Sequence, residues 1–162
     1  MKKPDSLRAA LTAVFPELAK DPHRLRLWIE EGRVRCHASE DNLNFTLEYT
    51  LTVVIEEWTH STLMIWPVLA DWLRIQQPDL LTVANSKSAI PFEADLISNQ
   101  KADISLELAL TEPVIVTRRE DGGFDMRVVP EVPLFDLTGP PLISISDTDR
   151  QLVPDDLFQV LD

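Results

Sequence analysis

Residues 42–58, NLNFTLEYTLTVVIEEW, constrain this chain more than any other stretch. From Leu43 to Ile55 every second residue is apolar: Leu43, Phe45, Leu47, Tyr49, Leu51, Val53 and Ile55. The residues between them are polar except for Val54. A period of two places one row on a dry face and the other in water, which is the pattern of a half-buried β-strand. At about 3.3 Å per residue the run spans roughly 43 Å, beyond the common strand length of about 3–10 residues. Such a strand needs either a large sheet or a neighbouring molecule to use its far end.

The flanking sequence supplies helices and more strands. KPDSLRAALTAVF reads as an N-terminal helix capped by Asp5 or Ser6, with Leu7, Ala10, Leu11 and Val14 on one stripe. Pro16 ends it or begins a second turn, and Asp21–Pro22 repeats the start signal. LRLWIEEGRVRCHA reads as a β-hairpin over residues 25–37 with its turn at Glu30–Gly32; the alternative is a helix from Pro22 to Glu31. A helix begins near Trp66, with Pro67 in its first turn and Pro78 closing it. PFEADLI and DISLELAL form an antiparallel pair, with Pro113 marking an edge or a bulge in the second strand. VIVTRREDGGFDMRVV predicts a hairpin turning at EDGG. The sum is an α+β fold, a mostly antiparallel sheet of four to five strands with helices packed on one face. Residues 1–129 form the domain, and 130–162, rich in proline and acid, an extended C-terminal arm.

Charge narrows the functions. The net charge is −12, and residues 120–162 hold ten acidic and two basic side chains. That balance argues against gripping nucleic acid through its phosphates. The longest nearly apolar run, Leu63 to Ala70, is too short to span a bilayer, and MKKPDSLRAAL lacks the apolar core of a signal peptide, so a soluble cytoplasmic product is expected. The single cysteine, Cys36, excludes a disulfide framework.

No catalytic, cofactor-binding or metal site is read from the residues. Cys36 and His37 are adjacent and point to opposite faces of a strand; His23 and His60 are isolated. The carboxylate pairs Glu30–Glu31, Glu56–Glu57 and Asp155–Asp156 are neighbours in sequence, whereas acid–base chemistry needs them held apart in a cleft. Arg24, Arg26, Arg33 and Arg35 form the one basic cluster, and strand alternation would put them on a single face. With Trp58 and Trp66 they are the candidate subunit-interface residues; solvated arginines and core tryptophans are the plainer reading.

The order of segments resembles a known family. KKPDSLRAALTAVFPELAKDPHRLRLWIEEGRVRC, then LNFTLEYTLTVVIEEWTHSTLMIWPVLADWLRIQQPDLL, then FEADLISNQKADISLELALTEPVIV, together roughly residues 2–117, are similar to the tail completion protein R family (GpR) of P-two-like contractile-tailed phages. The resemblance implies a structural virion protein, of phage or prophage origin, at the neck. There it would complete the head-proximal end of the tail and enable head–tail joining. By analogy with tail terminators it implies a hexameric ring, with tail tube, sheath and head-completion or connector proteins as partners. DNA would pass without specific binding, there would be no cofactor or membrane, and assembly would occur in the host bacterial cytoplasm. The rival readings are a small acidic binding module or assembly chaperone not retained in the virion, and a hydrolase with a carboxylate site.

Overall fold

In the computed structural model, which describes residues 1–36, 39, 42–82, 89–98 and 100–132, the alternating run is the strand β2, Phe45–Trp58. It lies between β1, Leu25–Cys36, and β4, Lys101–Arg118. β3, Phe92–Ser98, and β5, Phe124–Val128, pair with opposite ends of β4 along its other edge. All pairings are antiparallel, and the path through the sheet is β1-β2-β4-β3 with β5 beside β4. The fold is α+β, as the sequence implies.

The apolar row of β2 does what its period requires. Tyr49, Leu51, Val53 and Ile55 are buried and face Leu110, Leu108, Leu106 and Ile104 across the β2–β4 ladder. Two helices cover this row. α1, Lys3–Val14, contributes Leu7 and Leu11, and α3, Ile65–Gln76, contributes Ile65, Val68, Leu69, Trp72 and Leu73. α2, Pro16–Lys20, adds Leu18, and Phe15 packs its ring edge-to-face on Trp58 at 4.8 Å. Pro67 falls in the first turn of α3, where its missing N–H costs nothing.

β1 is one continuous strand, which corrects the hairpin expected over 25–37 and also its helical alternative. The EEG sequence is not a turn but a β-bulge: Ile29 faces Leu51 and Glu31 faces Thr50, so Glu30 is an extra residue. One inserted residue inverts the parity of everything after it. Leu25, Leu27 and Ile29 point to the helix-covered inner face; beyond the bulge Gly32, Val34 and Cys36 do. Arg33 and Arg35 therefore join Arg26 and Trp28 on the outer face.

β4 runs straight through Pro113. The Pro113 carbonyl accepts from Val129 N–H at 2.8 Å on the side away from β2. Its absent N–H faces that same side, so no β2 ladder bond is lost. The stretch of β4 between β3 and β5 is closed by other groups. Glu107 N–H donates to the Pro91 carbonyl at 3.1 Å, and Thr111 N–H to Gln77 Oε1 at 2.9 Å. The last hairpin turns as expected, with Gly122 at φ 85°, a conformation that favours glycine. The predicted arm lies outside the described residues from 133 onward.

Leu108 is wholly buried at the centre of the β2–β4 ladder. Leu108→Ala should cost about 2–5 kcal/mol, seen as a lower urea midpoint at unchanged slope; an unmoved midpoint would contradict this core.

Candidate assembly surface

The four arginines share the β1 side of the sheet but do different work. Arg24 sits in a 3-10 turn, Pro22–Arg24, and donates from Nε to the Glu56 carbonyl at 3.2 Å and from its terminal nitrogen to the Glu57 carbonyl. These bonds secure a second bulge, between Ile55 and Trp58, where Glu57 adopts φ 51°. A left-handed residue costs about 1–2 kcal/mol, and the clamp explains how Glu57 is held there. Glu57 N–H also donates to Asp103 at 2.8 Å, and Lys101 pairs with its carboxylate at 3.2 Å. Arg26 pairs with Glu56 and lies 5.9 Å from the Trp28 ring centroid. Arg35 grips Glu48 with two bonds, 2.9 and 3.3 Å. Arg33 is exposed and has no ion pair among the described residues. With Arg35, Glu31, Glu48, Asp79 and Thr111 it lines an open cleft of about 370 Å³ of mixed charge.

The tryptophans divide. Trp58 is 1% exposed, and its Nε1 donates to the Ser61 carbonyl at 3.1 Å. In the single chain it belongs to the core. Trp66 is half-buried and meets Phe92 edge-to-face at 5.0 Å. It is the last cover over β3. Beyond it all seven residues of β3 are exposed, Phe92 by 56%, Leu96 by 75% and Ile97 by 56%. Read from its alternation alone β3 is half-buried; the helices stop short of it.

A buried polar cluster escapes the sequence reading. Glu112, 0% exposed, stands in the inward row of β4 after Ile104, Leu106, Leu108 and Leu110. A charge in an apolar row is the signal that could have found it. Its carboxylate accepts the backbone N–H groups of Lys2 and Lys3 at 3.1 Å each and the Tyr49 hydroxyl. Burial pushes this carboxyl up, but the Tyr49, Lys2 and Lys3 hydrogen bonds and the chain's amino terminus outweigh it and hold Glu112 below the usual carboxylate range. Burial, and then Glu112, drive the Tyr49 hydroxyl well above its ordinary value. α1 thus has no side-chain cap of its own. Asp5 and Ser6, the expected caps, lie inside its first turn, and Ser6 Oγ accepts from Trp72 Nε1 at 3.0 Å. Lys3 Nζ, also buried, donates to Gln77 Oε1 at 2.7 Å and Glu131 at 2.8 Å.

Among the described residues no three His, Cys, Asp or Glu side chains are grouped to hold a metal ion, and no helix is long and apolar enough to cross a membrane. Cys36 is exposed on β1, and His60 Nε2 lies 2.7 Å from Glu17 at the surface. The family model for P2 phage tail completion protein R (GpR) matches residues 1–132. The chain belongs to the tail completion protein R family. A relative, Tail completion protein R of Escherichia phage P2, is 38% identical over 135 residues, covering 82% of this chain and 85% of that protein. No solved structure matches. The family is one of structural tail proteins, not a known enzyme family.

The folded-state carboxyl of Glu112 is depressed, so its stabilisation is complete above the ordinary carboxylate range and is lost as pH falls through its own, lower value. Glu112→Gln should destabilise by about 2–4 kcal/mol near neutrality and flatten the acid limb of a stability–pH curve measured in urea. An acid limb identical to that of the unsubstituted protein would assign that loss to other carboxylates.

Proposed function

We propose that this chain is a structural protein of the phage virion that completes the tail at its head-proximal end and allows the head to join, working as a ring of copies, most simply six. The observation that carries the reading is the family match across residues 1–132, which takes in every strand and helix of the described fold. Its partners on this reading are tail tube and sheath proteins on one side and head-completion or connector proteins on the other. The working domain is residues 1–129, with 130–162 a separate acidic arm. The surface chemistry supports a part that works by contact. The strands β1, β3 and β5 each leave one backbone edge unpaired among the described residues, and unpaired edges are ready material for joining subunits. The net charge of −12 suits a channel wall that DNA must pass without being held, because phosphate affinity grows with basic contacts. Assembly takes place in the host bacterium's cytoplasm, and the finished protein stays with the particle, whether infectious phage or prophage remnant.

Particles made without this protein should appear by electron microscopy as filled heads beside unjoined, unstable or overlong tails. The protein should be found by mass spectrometry in purified complete particles, and its assembled form should have a mass that is a multiple of 18.4 kDa by light scattering. Its absence from complete particles would instead favour an assembly factor that acts off the virion.

A further inference from the structure

We propose that the ring closes by joining the free edge of β1 in one copy to the free edge of β3 in the next, so that the sheets run on from subunit to subunit. The inference rests on the ring reading above and names the surfaces that meet. β3 is a seven-residue edge strand with every residue exposed, no proline and no lysine among them. Proline and lysine are two of the devices by which natural edges avoid pairing, and β3 lacks both; its charges are the carboxylates Glu93 and Asp95, and its one irregularity falls at the end, between Leu96 and Ser98.

The two edges match face by face. On the outer face β1 presents Trp28 and Glu31 together with Arg26, Arg33 and Arg35, three cations to one carboxylate, while β3 presents Glu93 and Asp95, opposite Ser105 and Asp103. On the inner face β1 presents Leu27, Ile29 and the 60% exposed Val34, and β3 presents Phe92, Ala94 and Leu96. Edge-to-edge addition would extend both layers at once: arginine beside carboxylate outside, apolar beside apolar inside. Asp95 directly faces Asp103, a like-charged cross-strand pair that is unfavourable in isolation. Neither Glu93 nor Asp95 has an ion pair among the described residues, and Arg33 is the unpaired cation on the other edge.

Other edge combinations fit less well. Joining β1 to a second β1 would set arginines against arginines, and β3 to β3 carboxylates against carboxylates. β5 alternates Asp125 with Arg127 on its outer row, so it has no sign with which to choose. A contact between two different edges is heterologous, and repetition of it gives closed rings or open filaments rather than isolated dimers.

Charge reversal and crosslinking test the assignment on the full chain, with circular dichroism confirming that each variant is folded. Arg33→Glu with Arg35→Glu, and separately Glu93→Arg with Asp95→Arg, should each shift the light-scattering mass from ring to monomer; all four together should restore it. In the otherwise unchanged protein, Cys36 on β1 is paired in turn with Ala94→Cys or Leu96→Cys on β3. A short bis-maleimide should then give a ladder of trimers and higher multimers, in solution or in purified particles, that is lost with Cys36→Ser. Full-mass rings from both reversal pairs, no restoration in the fourfold variant, or no ladder in particles that contain the protein would each overturn the edge assignment and leave the ring standing. A protein that is monomeric in solution, with no neighbouring copy to crosslink in the particle, would remove the ring itself.

Discussion

The Glu112 carboxylate is the constraint on which the rest of the fold leans. A fully buried carboxylate is costly unless its oxygens are satisfied, and here three partners come from two separate parts of the chain. Two are the first N–H groups of α1 and one is the Tyr49 hydroxyl on β2. Negative charge at a helix N-terminus is favoured by the helix dipole, so β4 supplies the cap that α1 does not encode for itself. The same first turn carries Lys3, whose ammonium reaches Gln77 at the end of α3 and Glu131 after β5. Gln77 in turn accepts from Thr111 on the open side of β4. One polar cluster therefore fixes how α1, α3, β2, β4 and the chain's exit toward the C-terminus sit relative to one another. The apolar core by itself resists sliding only weakly, because the burial of apolar surface is non-directional.

With the covered face fixed in this way, what is left over is the surface open to a neighbour. The helices are long enough to cover β2 and most of β4 but not β3, and Trp66 against Phe92 marks where the cover ends. At the opposite side, the bulge at Glu30 decides what β1 shows. Without the extra residue, Arg33 and Arg35 would point to the inner face and Val34 to the outer. With it, the strand beyond the bulge carries its basic row on the same side as Arg26. A local irregularity of one residue thus organises the charge of a whole edge, which is the use natural sheets make of bulges.

How much of this could be read from the residues follows from which signals are local. The period of two in β2 and β4, the three-and-four spacing of α3, Pro67 in a first turn and the EDGG turn are short-range patterns, and each folds as it reads. The EEG stretch misleads because a glycine after two acids looks like a turn; whether it turns or bulges depends on β2 offering an unbroken partner, a long-range fact. Trp58 reads more readily as core but also suits an interface, and only the position of Phe15 and the inner row decides. The alternation of Phe92, Ala94 and Leu96 is real, but alternation reports which residues share a face, not whether anything covers that face. Glu112 was visible as an anomaly, a charge in an inward row, but its partners lie more than a hundred positions away in sequence at Lys2 and Lys3 and sixty-three at Tyr49.

A protein that joins copies through strand edges has to keep those edges competent and yet selective. Length and exposed apolar residues give competence, and they would equally favour wrong pairings and aggregation. The outer rows set the selectivity. A basic row on one edge and an acidic row on the other make self-pairing of either edge repulsive, while their mutual approach is attractive. The surrounding negative surface lengthens the odds against chance encounters between whole molecules, since a net charge far from zero keeps copies apart until a specific contact is available. On the proposed reading the same surface also keeps DNA phosphates at a distance. On the proposed assembly, then, the charge that disfavours DNA binding and the charge that orders the edges would be one distribution, placed by strand parity and by a single inserted residue.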